Sequence, residues 1–145
     1  MSPDQLIAQL RKNLDNVPMA VGVNNHMGSR MTGNSQQMNQ VFTILKQRGL
    51  FFVDSRTTLN TRCRQSARLL KVPFVERDVF LDHIPEKESV RRQIKRLVSI
   101  AVKNGTAIGI AHPHSVTYDV LRAMLPEMKK RVQFVSVSGL VQIIL

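Results

Sequence analysis

Apolar and polar positions alternate along this chain with two distinct periods. Leu6, Ile7, Leu10 and Leu14 recur at helical spacing behind Ser2-Pro3-Asp4, so the spacing predicts an amphipathic helix over residues 3–14. Ser2 offers a hydroxyl cap, Pro3 fits a first turn, and Asp4 sits at the positive end of the helix dipole. A short apolar run from Met19 then ends in Asn24, Asn25 and His26, which reads as a buried strand over 19–25. Asn34 or Ser35 caps a second helix that shares Met38, Val41, Phe42 and Leu45 on one face, and Gly49 closes it. Leu50 to Val53 is the next strand and runs into Asp54-Ser55-Arg56. A helix over 60–71 is broken by Val72-Pro73. A strand over 74–81 follows and ends at Asp82-His83. Pro85 to Glu88 opens the strongest helix, with Val90, Ile94, Leu97, Val98 and Ala101 as its stripe and Asn104-Gly105 as its stop. Thr106 to Ala111 is a strand ending in His112-Pro113-His114. Ser115 or Thr117 caps a last helix that Pro126 ends or kinks, and Val132 to Val137 is the final strand.

This order, a helix and then strands alternating with helices through five strands, predicts an α/β fold. Strands joined by crossover helices run parallel, and the expectation is one sheet covered by helices. The length of 145 residues fits one domain. At 43% hydrophobic residues the chain can bury a real core.

Charge widens the functional choices. Twenty-one Lys and Arg stand against ten Asp and Glu, a net charge of +11 that favours polyanions such as acidic glycans, anionic lipid or nucleic acid. There is no Trp and only one Tyr, so base-stacking surface is thin. A single cysteine, Cys63, excludes an intramolecular disulfide and a cysteine-based zinc finger. Its neighbours Arg62, Arg64 and Arg68 could lower its pKa, but no nearby base suggests a catalytic thiol. No run approaches the ~18 apolar residues of a membrane span, and no signal-peptide core is visible.

In a parallel α/β sheet or barrel the site lies at the carboxyl ends of the strands. Those ends carry Asn24, Asn25 and His26; Asp54, Ser55 and Arg56; Asp78, Asp82 and His83; His112 and His114; and Ser136 and Ser138. All four histidines fall there or just beyond, a bias that solvation alone does not produce. His with Asp suits a borderline divalent ion such as zinc, which lowers the pKa of bound water to about 7 and polarises a carbonyl. Asp54 fits a ligand or a general base, and Arg56 an anchor for an anionic group. Each residue also has a plainer role. His26 could simply bond to backbone, Asp54 could pair with Arg56, and Ser115 could only cap a helix. His112 and His114 lie two apart, on opposite sides of an extended chain, so at most one is expected to bind a metal directly.

The run Val21-Gly22-Val23-Asn24-Asn25-His26-Met27-Gly28-Ser29-Arg30 resembles the signature of the divergent polysaccharide deacetylases, a branch of the NodB-like carbohydrate esterases. Phe52 to Thr58, Arg77 to Asp82 and Ala107 to His114 match its other blocks in order and spacing, and the resemblance covers residues 5 to 140. It implies a partial NodB-like distorted (β/α) barrel and a zinc-dependent hydrolase that removes acetyl groups from N-acetylated sugars of a cell-wall or related polysaccharide. His26 matches the first histidine of the family's His-x-x-x-His motif, Arg30 stands at the second, and His112 matches a histidine at a late strand end. By resemblance, the metal residues are His26 and His112, the catalytic residues Asp54 and His114, and the substrate-binding residues Asn25, Ser29, Arg30, Arg56 and Asp78. The family's first strand, with its paired aspartates, would lie upstream of residue 1. The resemblance therefore implies a fragment or truncated product that is inactive or impaired alone, with an exposed sheet edge open to self-association. It further implies a periplasmic or secreted parent protein. The alternatives are a non-catalytic module that binds a carbohydrate or acidic polymer and, ranked last, a basic nucleic-acid-binding protein.

Overall fold

A computed structural model describes residues 2–145. The chain divides into two compact units, residues 1–76 with 141–145 and residues 77–140. In the first unit, α1 (Pro3–Asp15), α2 (Ser29–Thr32), α3 (Ser35–Gln47) and α4 (Cys63–Leu70) surround β1 (Gly22–Asn24), β2 (Phe51–Asp54) and β3 (Phe74–Glu76). The second unit holds β4 (Val79–Phe80), α5 (Lys87–Asn104), β5 (Gly109–Ile110) and α6 (Ser115–Lys129), followed by a 3₁₀ turn at Val137–Gly139. The α/β class and the parallel pairing expected from the pattern hold throughout.

The first unit is built around three phenylalanines. Phe42 of α3 is fully buried, with its ring centroid 4.9 Å from Phe52 and 6.4 Å from Phe74, and Met38, Leu45, Cys63, Ala67 and Val72 complete the core. The strands pair in the order β1-β2-β3, with Val23 opposite Phe52 and Phe52 opposite Phe74. Gln142 bridges Phe74 antiparallel and so covers part of the β3 edge, whereas β1 pairs on one side only among the described residues. At Gly22 a β-carbon would stand 2.3 Å from the Phe51 ring, so only glycine lets these two strands approach as they do. Ser2 caps α1 as expected and forms a full capping box with Gln5, while Asn34 caps α3.

In the second unit β4 and β5 pair through Val79–Gly109 and Phe80–Ile110, and α5 and α6 pack Val90, Ile94, Val98, Val120 and Met128 over them. Three expectations change here. The strands form two sheets rather than one, because the strand expected over 74–81 is broken at Arg77-Asp78. The Asp78 carboxylate accepts the Ile108 N–H at 2.8 Å and the Asp78 N–H donates to the Ile108 carbonyl at 2.9 Å, so the chain leaves β3 and begins pairing with β5. The strand expected over 132–137 does not form: Phe134 and Val135 are exposed, no buried face rewards pairing, and the segment ends in the 3₁₀ turn. Pro126 does not end α6, which runs on to Lys129. The buried Met128 anchors that last turn against the core.

Replacing Phe42 with alanine removes the hub of the aromatic cluster, so urea unfolding should report a loss of about 3–5 kcal/mol with the secondary structure retained at low urea. A loss below about 1 kcal/mol would mean that the three rings are not the core's main support.

Candidate functional site

At the strand ends of the first unit the side chains stitch two loops together. Asn25 is buried; its Oδ1 accepts the Ser55 N–H at 2.8 Å and its Nδ2 donates to the Met27 carbonyl at 3.3 Å. Asn24 donates to Ser55 Oγ at 3.2 Å, Ser29 Oγ donates to the Thr57 carbonyl at 3.2 Å, and Thr57 Oγ1 donates back to the Met27 carbonyl at 3.2 Å. Met27 and Arg56 both adopt left-handed backbone, φ 57° and 49°, which non-glycine residues hold only when their surroundings fix them. Asp54 is fully buried and takes two donors, the Arg56 N–H at 2.8 Å and the Thr61 hydroxyl at 2.8 Å. The Arg56 guanidinium reaches Glu76 at 3.5 Å, and Arg64 reaches the same carboxylate at 3.0 Å. His26 and Arg30 are exposed at this end of the unit.

The second unit holds a tighter constellation. Asp82 follows β4 with its carboxylate fully buried, 0% exposed. Its Oδ2 accepts the His112 backbone N–H at 2.7 Å and the Thr117 hydroxyl at 2.9 Å, and its Oδ1 lies 3.2 Å from His112 Nδ1. A carboxylate only accepts, so Nδ1 of His112 carries the hydrogen. The Phe80 ring meets the His112 ring edge-on at 5.2 Å. His112 and His114 do not diverge as an extended chain would require. The His114 N–H donates to the His112 carbonyl at 2.8 Å, which closes a tight turn around Pro113 and brings the two rings to 5.4 Å. Asp82, His112 and His114 thus offer a carboxylate oxygen and two imidazole nitrogens that all lie within 4.8 Å of one another. One hard and two borderline donors form a set that suits zinc.

Of the residues expected from sequence, the structure therefore brings His112 and His114 together in the second unit. Asn25 and Asp78 have their polar atoms engaged in bracing strands and loops. Asp54, Ser29, Arg30, Arg56 and His26 all lie in the first unit, at or just beyond the ends of β1 and β2. By residue type Asp82 is only a polar strand end and Thr117 only a cap; in the fold Asp82 holds His112 and Thr117 braces Asp82. The signal for Asp82 was an acid directly after an apolar strand whose parallel neighbour ends in histidine.

The family pattern of the divergent polysaccharide deacetylases matches residues 1–141. The chain belongs to that family. It is 39% identical over 140 residues to the uncharacterized protein YibQ of Escherichia coli (strain K12), covering 97% of this chain and 44% of that protein. An uncharacterized protein of Haemophilus influenzae is 39% identical over 121 residues, 83% of this chain and 43% of its own length. The chain thus spans less than half the length of the curated relatives it matches. The crystal structure of the uncharacterized protein ATU2773 from Agrobacterium tumefaciens C58 superposes with a TM-score of 0.82 at 27% identity, covering 91% of this chain and 57% of that one.

The cysteine corrects another expectation. The neighbouring arginines do not activate Cys63. It is fully buried, and that burial, aided by the nearby Asp54 charge and opposed by its hydrogen bond with Thr61, pushes the thiol up from 9.0 to about 12. The folded state therefore binds the thiol proton more tightly than the unfolded chain does. The resulting stability is complete below pH 9.0 and is lost as pH rises toward about 12. Urea unfolding across that window should show the wild type losing stability relative to Cys63→Ala; parallel pH profiles would contradict the burial.

Proposed function

We propose that the chain forms part of a hydrolase that removes acetyl groups from the N-acetylated sugars of a polysaccharide. In this reading His112 and His114 hold a divalent metal, zinc by donor type, and Asp82 supports His112 from the Nδ1 side of its ring. The observation that carries the reading is the gripped imidazole: a fully buried carboxylate holds His112 at two points, its backbone N–H and its Nδ1. Family membership supplies the substrate class. When bound, such an ion would acidify a water molecule and polarise the acetamide carbonyl.

The chain's own residues prepare that chemistry. Asp82 fixes the tautomer of His112, so Nε2 is the nitrogen left to meet a metal. The Phe80 edge limits water on one side of the ring. In the first unit Asp54 and Asn25 shape the loops, and we keep Ser29, Arg30 and Arg56 as candidates to contact a sugar chain at that unit's own strand ends. Asp78 takes a supporting role by bracing β5.

Zinc titrated calorimetrically into residues 1–145 should bind at one site. Asp82→Asn and His112→Ala should each weaken it about 10–100-fold, the usual cost of losing a ligand or its supporting partner, with His114→Ala acting in the same direction. Absence of zinc binding in the folded wild type would overturn the metal reading. Acetate release from an N-acetylglucosamine oligomer by this chain alone should be slight or nil.

A further inference from the structure

The outward face of α5 carries far more positive charge than the fold uses. The helix has six cationic side chains, Lys87, Arg91, Arg92, Lys95, Arg96 and Lys103, against one acid, Glu88. Its inward face buries Val90, Ile94 and Val98 in the core of the second unit. Arg91 is half-buried and pairs with Glu88 at 3.6 Å. Arg92, Lys95, Arg96 and Lys103 are exposed and enter no ion pair among the described residues. Their helical positions fall within one arc, together with Ser99, so the cations form a strip about 16 Å long at ~1.5 Å per residue. Arg92, Lys95 and Arg96 lie within about one turn and repel one another, and the helix's one acid, Glu88, is engaged with Arg91.

We propose that this strip is a docking surface for a polyanion, specifically an acidic polysaccharide bearing carboxylate groups along its length. Two other polyanions fit the face less well. An anionic membrane would be met by a helix that also inserts apolar side chains. Here the apolar stripe is buried, and Val102 is the one large apolar residue that the exposed face offers. Single-stranded nucleic acid would be met by aromatic side chains on which bases stack, and α5 contains none. What remains is charge and hydroxyl without stacking or insertion, which matches a charged sugar chain.

The position of the helix gives the strip a use. α5 begins just after the loop that follows Asp82, so its first turn lies at the carboxyl end of β4, and the cations run from there along the flank. A long polymer held on the strip would stay tethered beside Asp82 and His112 while successive sugars sample them. The inference names the class of polymer for the hydrolase reading, and rests on that reading for the polymer being a glycan.

The test compares two charge-reversed proteins of equal net charge. One carries Arg92→Glu, Lys95→Glu, Arg96→Glu and Lys103→Glu. The control carries Lys12→Glu, Lys46→Glu, Arg62→Glu and Arg68→Glu, exposed cations of the first unit that enter no ion pair among the described residues. Polygalacturonate binding is measured by titration at two salt concentrations, with far-UV circular dichroism confirming the fold. A version with glutamine at the four α5 positions serves if the glutamates unfold the helix. The α5 variant should bind at least about tenfold more weakly with a shallower salt dependence, and the control less than about threefold. Equal losses in both would show that net charge alone attracts the polymer and would overturn the proposal. Tighter binding of a single-stranded oligonucleotide or of anionic vesicles, lost in the same α5 variant, would overturn the choice of a glycan. Zinc titration of the α5 variant should match wild type. A wild type that binds polygalacturonate through α5 but binds no zinc would sink the metal centre and leave the docking surface standing.

Discussion

A carboxylate taken out of water must find donors to replace it, and Asp82 finds three at once. The His112 backbone N–H ties the end of β4 to the chain just beyond β5. The Thr117 hydroxyl ties both to the first turn of α6, and the His112 Nδ1 fixes the ring between them. Removing one donor from such a buried acceptor typically costs ~1–3 kcal/mol, because the remaining group is left unsatisfied. Two-residue strands such as β4 and β5 have little ladder of their own. Their carboxyl ends are held in place as much by Asp82 as by the sheet. The same contact that keeps these elements together also aims an imidazole, so stability and chemistry depend on one side chain.

The first unit repeats the device with a different outcome. Asp54 is equally buried at the end of β2, yet its donors are a backbone N–H and the Thr61 hydroxyl, both from its own following loop. It gathers no imidazole. What it fixes is the strained turn at Arg56, while Asn25 holds the neighbouring loop through Ser55. One buried acid therefore orders the loop that presents Arg56, and the other orders a pair of histidines.

Much of this was legible in the residues. The helices over α1, α3 and α5 followed from apolar spacing with Ser2, Asn34 and Gly105 at their ends, and the parallel α/β class followed from their alternation with strands. The clustering of polar residues at strand ends pointed to the right regions. Misreadings arose where a side chain substituted for backbone. Asp78 took the place of a ladder partner and split one expected strand into two, and Pro113 bent a turn that brought His112 and His114 together. Cys63 shows the limit of reading neighbours along the chain: its arginines flank it in sequence, while the helix turns its thiol into the core. Asp82 looked like one acid among several because burial, not residue type, gives it its role.

The central claim is that Asp82 holds His112 in a single tautomer. Imidazole nitrogen NMR on the ¹⁵N-labelled protein tests it most directly. The account predicts that neutral His112 is the Nδ1–H form, with a hydrogen protected from exchange in the wild type and released in Asp82→Asn. A His112 that averages both tautomers like an exposed histidine, or that carries its hydrogen on Nε2, would contradict it.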